Sequence, residues 1–444
     1  MIGGRKMRKI VKLEPYLPIE KIFELFANEE ESVILESSLK NKLGRFSIIA
    51  RKPYQKIMKK NNELWINNEK KEEDFAVFLK KYLTDNKEPN PTKLPIVDGC
   101  IGFFSYDYKA DISDLPQCLL IFYDQLIIED HKHNFVYIIA NGKLQDSEQT
   151  ILELEEIIKN RQESHEVFSI TTHPIVTMNF EKEEYKQAIK QMINHIIEGD
   201  IYIANMTQRI SIKSNRKPYE VYKRLMEKNP APFSAYMNYQ GLQIISASPE
   251  RFLKMKNRKI TTRPIKGTRK RGKTEQEDEV LKEELKNSEK DKSELLMIVD
   301  LERNDLNRVC VPGTVKVDEL FSVESYATVH HLVSSISGVL EPNLTAVDLI
   351  EATFPGGSIT GAPKISAMEI IDKLERGSRG LYTGSIGYIS LNGDCDFNIV
   401  IRTAIYQNDT YQLGVGGGIT YESDLEFEYE ETLQKAKAIL EALS

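Results

Sequence analysis

The chain has few cysteines and no pattern among them. Cys100, Cys118, Cys310 and Cys395 lie far apart, with no CxxC pair. That excludes a disulfide scaffold and a zinc site of the usual spacing, and it fits thiols kept reduced in a cytosol. An excess of either charge is also missing. Sixty basic and 67 acidic residues are well mixed, for a net charge of -7. Basic runs such as Arg269-Lys270-Arg271 are local, so no nucleic-acid footprint is present. No apolar run approaches the length of a membrane span. Residues 1–9 carry charges but no apolar stretch behind them, so no secretory leader is expected and the expected location is the cytoplasm. Short-period repeats and low-complexity tracts are absent. Neither glycine-rich segment matches a P-loop or a dinucleotide fingerprint, which argues against nucleotide binding.

What remains is an ordinary globular composition, 41% hydrophobic and 29% charged over 444 residues. That length allows two or three domains or one large α/β unit. Residues 1–160 alternate short strand-like runs with one or two helices. Strand candidates there are residues 32–35, 46–50 and 135–140, the last ending at Asn141-Gly142. Residues 160–174, with His165 and His173, are polar and aperiodic and read as a linker. Beyond it, Tyr185, Ile189, Met192 and Ile196 share one face of a helix predicted over 181–198, and Gly199 stops it. Pro218 opens another helix. Residues 234–239 and 242–247 flank Gln240-Gly241 as a hairpin, and 251–256 with 258–263 form a second pair. One long charged helix is predicted over 274–303, a strand over 397–404, another over 411–415, and a last helix over 425–443. Elements that alternate and also come in hairpin groups predict a mixed α/β or α+β fold with large antiparallel sheets.

Several residues stand out chemically. Lys266 follows the strand-like run 259–263, between Pro264 and Gly267. A loop lysine is ordinarily a solvated charge, but one held at such a point can be desolvated into a nucleophile. Glu250, at a hairpin corner, is a candidate general acid or base. Glu428 and Glu431 are i,i+3 neighbours on the last helix. Two carboxylates on one face invite a divalent cation, although an acidic first turn also suits the helix dipole. Glu294 borders the apolar run 295–299 and is a third candidate ligand. The segments 414–418 and 354–364 read as glycine-rich loops whose amides could bind a carboxylate or phosphate. Arg402, near the end of its strand, could clamp a carboxylate. Of His330 and His331, one is expected to face inward.

These pieces together resemble one family, the chorismate-utilising enzymes. The segments that carry the resemblance are Ser246-Ala247-Ser248-Pro249-Glu250-Arg251-Phe252, Pro264-Ile265-Lys266-Gly267-Thr268-Arg269, Ile298-Val299-Asp300-Leu301-Glu302-Arg303-Asn304-Asp305-Leu306, residues 354–364, Tyr382-Thr383-Gly384-Ser385-Ile386-Gly387-Tyr388, the Arg402 strand, Gly416-Gly417-Gly418 and Tyr429-Glu430-Glu431-Thr432. Their order and spacing fit over residues 175–444. The resemblance implies an α+β fold of two large antiparallel sheets packed face to face, with helices outside. It implies a catalytic module over 175–444 and an N-terminal module over 1–160, joined in one intertwined unit. Position 266 is typically alanine in members that make anthranilate and lysine in members that aminate C4 of chorismate. Lys266 therefore implies the second branch, the one that leads to p-aminobenzoate and folate.

The same resemblance implies residue roles. Glu250 protonates the departing C4 hydroxyl, and Lys266 attacks C2 of the ring. Ammonia then attacks C4 and expels the lysine from C2. Glu294, Glu428 and Glu431 hold Mg²⁺ against the ring carboxylate. Arg402, Tyr382, Gly416, Gly417 and Gly418 hold the enolpyruvyl carboxylate. Gly267, Thr268 and Ser358 line the pocket, with His331 in support. Glu36, Ser37 and Ser47 resemble a tryptophan pocket. No cysteine stands in a Gly-x-Cys-x-Gly elbow, so ammonia is expected from a separate glutaminase subunit or from free ammonium. The alternatives are a C2-aminating, anthranilate-forming enzyme and a tryptophan sensor without catalysis. The first is disfavoured by Lys266. The second is disfavoured by the joint presence of Glu250, Lys266, Glu294, Glu428 and Glu431.

Overall fold

The computed structural model describes residues 7–41, 43–110, 114–161, 174–326 and 329–444. Most of the predicted linker, with His165 and His173, lies outside the described residues. Every named strand pairing is antiparallel, and the strands form two broad sheets that share two long strands, Phe46–Lys60 and Cys118–Asp130. From the first half of Phe46–Lys60 one sheet runs through Ser32–Glu36, Phe233–Tyr239, Leu242–Ser248, Thr403–Gln407 and Thr410–Ile419 to Ile203–Lys213. From the first half of Cys118–Asp130 the other runs through Gly99–Phe104, Ser385–Ser390, Cys395–Asn398, Arg251–Lys256 and Lys259–Thr262 to Val329–Val339, which also pairs with Ile265–Lys270.

Period-2 alternation assigns each sheet an inner and an outer face. Ile101, Phe103, Ile121 and Tyr123 of one sheet meet Val33, Ala235, Met237 and Ile244 of the other in a central apolar layer. Their sequence neighbours Cys100, Phe104, Leu120 and Phe122 point the opposite way, toward helices outside. On the other sheet Ile34, Tyr236, Ile245 and Ala404 do the same, toward the helices that carry Val221, Leu225, Ala436 and Ile439. The fold is thus α+β, two antiparallel sheets face to face with helices outside. Full burial of a Phe or Ile in such a layer contributes about 1.5–3 kcal/mol relative to exposure.

Local signals explain most element ends. Lys182–Glu198 stops at Gly199, whose φ is 86°, a backbone region where glycine carries no steric penalty. The predicted helix over 274–303 is in fact two, Glu275–Asn287 and Glu289–Asn307. The break falls at Ser288, whose hydroxyl caps the second helix by accepting from the Asp291 N–H. A charge-rich pattern hides such a cap because apolar periodicity is weak on both sides of it. The strand predicted over 397–404 is also interrupted. Cys395–Asn398 and Thr403–Gln407 are separate, and Arg402 between them has φ 50°. Residues 414–418 are not a loop. They lie inside the strand Thr410–Ile419, with Gly416, Gly417 and Gly418 opposite Thr207, Met206 and Asn205. Among the described residues no helix is long and apolar enough to cross a membrane.

Candidate active site

The two sheets bring their ends together beneath two helices, Glu289–Asn307 and Leu425–Leu443, and the candidate residues gather there. Lys266 stands on the Ile265–Lys270 strand, half-buried, opposite Leu332. A bulge follows at Gly267, whose φ is 71°. A side chain at Gly267 would strike Asp291, since a Cβ there would lie 2.8 Å from Asp291 Cγ. Glycine at this point therefore lets the strand close on the helix that carries Asp291 and Glu294.

Lys266 Nζ reaches the neighbouring sheet, 3.1 Å from where a Cβ on Gly418 would be. Its charge acts on both Glu250 and Glu294. Glu250 is 6% exposed. Burial raises its pKa, offset in part by hydrogen bonds from Ser358 and the Ile265 amide and by the charge of Lys266. An acid whose proton is held by burial beside a lysine can donate that proton to a leaving group. Ser358 sits in a short 3-10 turn, Gly357–Ile359, and the turn is closely fitted. A Cβ on Gly357 would come 3.0 Å from Leu301 Cδ2 and 3.3 Å from Glu302 Cγ.

Glu428 and Glu431 face the glycine strand. A Cβ on Gly417 would lie 3.0 Å from Glu428 Oε2 and 2.6 Å from Glu431 Oε2, so only glycine leaves room for the pair. The helix that bears them is capped by Asp424, which accepts from the Phe427 N–H at 2.8 Å. Such a cap is worth about 1 kcal/mol and fixes where the first turn lies. Glu428 is buried and its pKa is pushed up to about 6 by burial and by the neighbouring Glu431, although Ser423 donates to it at 2.7 Å. Glu294 is likewise raised by burial, with Glu431 among the charges that act on it. Three converging carboxylates of which two are raised form an oxygen donor set short of positive charge, which suits Mg²⁺. The set is open, however. Among the described residues, the trio whose ligand atoms lie within 4.8 Å of one another is His195, Glu198 and Asp200, on the surface. Part of the missing charge comes from Lys435, which is 3.0 Å from Glu431 and donates to the Gly416 carbonyl at 2.8 Å.

The anion end of the site forms at the strand break. The Arg402 guanidinium is desolvated, which lowers its pKa, and among the described residues it has no carboxylate partner. Its left-handed backbone turns it out of the sheet, and the Ala247 amide donates to its carbonyl at 3.1 Å. His331 is close enough for the Arg402 charge to act on it; burial and that charge push its pKa down to about 4, so it is neutral at pH 7. Thr268 Oγ1 lies 2.9 Å from His331 Nδ1. His330 is buried as well, between Ser325 at 2.8 Å and Asp278 at 2.9 Å. Both histidines are thus inside, against the expectation of one. The Tyr382 ring lies flat on Gly414, where a Cβ would fall 2.1 Å from its Cγ. The expected amide loop at 416–418 is a strand edge instead. One edge of these glycines is paired with Ile203–Lys213, and beyond Leu413 the other edge has no strand partner among the described residues.

Glu36, Ser37 and Ser47 form a different place. Ser47 Oγ accepts from the Ser37 amide at 2.9 Å and lies 2.7 Å from His131 Nε2. Ser37 Oγ lies within hydrogen-bond reach of the Phe46 and Pro232 carbonyls, and the Tyr222 hydroxyl donates to Glu36. A cavity lined by Leu39, Pro232, Pro249, His331 and Arg402 lies between this segment and the anion end.

The sequence reading assigned no role to three further groups. Lys364 is ion-paired with Asp305 and donates to the carbonyls of Thr353 and Pro355 at 2.9 and 2.8 Å, clamping the turn that carries Ser358. Arg379 is buried, paired with Glu375 at 2.7 Å, and donates to the Ile359 carbonyl of that turn and to the Asn205 carbonyl of the strand Ile203–Lys213. Glu302 accepts from the Thr262 hydroxyl at 2.9 Å, and the Glu250 charge is among those that act on it. Lys364 and Glu302 fall inside the segments quoted above, but their spacing gave no hint of what they would touch.

A buried acid, a lysine, an open carboxylate trio and an arginine with no carboxylate partner among the described residues would suit a small, multiply anionic substrate. The chain belongs to the chorismate binding enzyme family, which it matches over residues 31–441. It is 35% identical to aminodeoxychorismate synthase component 1 of Bacillus subtilis, covering 96% of this chain and 94% of that one. It is also 35% identical to anthranilate synthase component 1 of Acetivibrio thermocellus, covering 98% and 94%. Among solved structures, anthranilate synthase component I of Streptococcus pneumoniae superposes with a TM-score of 0.81 at 31% identity, covering 90% and 93%. Overall identity thus does not separate the two activities.

Proposed function

We propose that this chain is an aminodeoxychorismate synthase component, aminating chorismate at C4 to give 4-amino-4-deoxychorismate. The observation that carries the reading is Lys266, placed between Glu250 and Glu294 with its amine against Gly418. Position 266 is the one that the resemblance uses to divide the two branches. The alternative, an anthranilate-forming enzyme, would use the same carboxylates and leave Lys266 without a role.

In this reading Arg402 and the Tyr382–Gly414 surface receive the enolpyruvyl carboxylate, with neutral His331 and Thr268 beside it. Glu250 gives its proton to the C4 hydroxyl, which leaves as water. The Lys266 amine forms a bond to C2 as the ring electrons shift and the C4–O bond breaks. Ammonia then bonds to C4 and the lysine departs as an amine, so one hard substitution becomes two easier ones. Glu294, Glu428 and Glu431 would hold Mg²⁺, which when bound neutralises and orients the ring carboxylate. Glu428→Gln should raise the Mg²⁺ concentration for half-maximal rate, on the order of 10–100-fold as for loss of one metal-site contact. An unchanged titration would remove Glu428 from the site.

Further parts of the reading concern partners and organisation. The names of the relatives carry the words component 1, which supports a second component, and we assign to it the delivery of ammonia from glutamine. The N-terminal and C-terminal modules act as one unit, a reading supported by the pairing of Ser32–Glu36 with Phe233–Tyr239 and of Gly99–Phe104 with Ser385–Ser390. A cytoplasmic location is supported by four free cysteines, all buried. L-tryptophan is assigned to the Glu36–Ser37 segment, where the Ser47 hydroxyl is already engaged by Ser37 and His131 and would shape the pocket more than touch the ligand. Calorimetry should show heat on adding L-tryptophan, lost in Glu36→Gln. Absence of both heat and co-purified tryptophan would refute the assignment.

A further inference from the structure

Two side chains of the strand Ile203–Lys213 end in buried oxygens that have no hydrogen-bond partner among the described residues, Asn205 Oδ1 and Thr207 Oγ1. Buried polar atoms are nearly always bonded, so two exceptions spaced two residues apart point to a ligand. Thr207 is 1% exposed. The backbone that carries them is, by contrast, held. The Asn205 amide donates to the Thr360 carbonyl at 2.7 Å, and the Asn205 carbonyl accepts from Arg379 at 2.7 Å. The Thr207 amide donates to Glu375 at 2.9 Å. The buried Arg379–Glu375 pair thus fixes the stretch on which both oxygens stand.

Both groups are on the Lys266 side of the strand. Asn205 lies opposite Gly418 and Thr207 opposite Gly416. Their backbone groups bond away from the glycine strand, so these are non-hydrogen-bonded pairs, in which Cα atoms come within about 4.5 Å and side chains are closest. Contacts confirm the face. A Cβ on Gly416 would lie 2.6 Å from Thr207 Cγ2, and one on Gly418 would lie 3.6 Å from Ile203 Cδ1, two residues before Asn205. Residues two apart in a strand share a face, so the Asn205 side chain stands beside Gly418. The Lys266 amine is there as well, 3.1 Å from the same Cβ position.

The second step of the reaction above needs a group at this place. With the ring held on Lys266 through C2, ammonia gives its electron pair to C4, the ring double bond shifts, and the C2–N pair returns to the lysine. The positive charge passes from the lysine nitrogen to the new C4 ammonium. C2 and C4 are separated by one ring atom, so ammonia must wait near Lys266, about 3–3.5 Å from C4. Ammonia has three N–H donors and one lone pair. Two acceptors can take two of the hydrogens and leave the pair free to aim at carbon. We propose that Asn205 Oδ1 and Thr207 Oγ1 form the site that binds the attacking ammonia. The inference rests on the reading of Lys266 and C4 amination given above.

The test uses the full chain with chorismate, Mg²⁺ and ammonium chloride at fixed pH, and follows chorismate consumption rather than one product. Asn205→Leu and Thr207→Val keep the volume and remove one acceptor each. Each should lower kcat/KM for ammonium about tenfold, the size of one lost hydrogen bond, with KM for chorismate unchanged. Without ammonia, both variants should load the ring onto Lys266 as fast as the wild type, read by mass after quenching, and added ammonium should clear that adduct more slowly. An unchanged ammonium dependence overturns the site. So does a rise in KM for chorismate alone, or a loss of adduct formation equal to the loss of turnover, since either marks a contact to the ring instead. If Asn205→Leu does not fold, Thr207→Val decides by the same measurements. If the wild type forms no adduct, or forms anthranilate, the Lys266 reading fails while the ammonia site is still judged on the ammonium and chorismate dependences of the variants.

Discussion

Glu250→Gln should slow chorismate consumption on the order of 10²–10⁴-fold, the span for removal of a general acid. Glutamine keeps the volume of the side chain and can still meet Ser358, so the fold and the KM for chorismate should hold. What is lost is the proton, and hydroxide is too poor a leaving group to depart without it. The pH profile sharpens the test. Burial raises the Glu250 pKa, and Glu250 works in its protonated form. The wild-type rate should therefore fall as pH rises through that raised pKa, and the limb should vanish in Glu250→Gln. A variant as fast as the wild type, or one that keeps the limb, would place the acid elsewhere.

Lys266→Ala should abolish C4 amination. The change removes the only part of Lys266 that reaches Gly418 and leaves the bulge at Gly267 intact, so folding should be undisturbed. Wild-type enzyme mixed with chorismate in the absence of ammonia should carry the ring covalently on Lys266, detectable by mass after quenching, and the alanine variant should not. Undiminished turnover by Lys266→Ala would rule out an essential lysine nucleophile, whatever the family pattern at that position.

The sequence made some of this visible and hid the rest for physical reasons. Gln240-Gly241 exposed the hairpin read at 234–247, and Gly199 and Pro218 marked helix ends, because these signals are local. Ser288 was missed as a helix break, since a serine in a charged run carries no periodicity to interrupt. The Arg402 break was missed because its cause is distant. The Ile399 amide is taken by the Glu250 carbonyl at 3.0 Å and the Thr383 amide by the Val400 carbonyl at 2.7 Å, so this stretch is drawn out of its own sheet by two other segments. The glycines at 416–418 read as a loop because glycine is scarce in strands. They are glycines within a strand because Glu428, Glu431 and Lys266 occupy the space that side chains at 417 and 418 would need, and Met206 and Thr207 the space at 416. Residue types for the site were legible one by one and convincing only jointly.

The most direct test of the central claim is a product assay with chorismate, Mg²⁺ and ammonium, with and without added aminodeoxychorismate lyase. The account predicts p-aminobenzoate only when the lyase is present. Fluorescent anthranilate accumulating without the lyase would contradict it and would show that Lys266 does not direct the amine to C4.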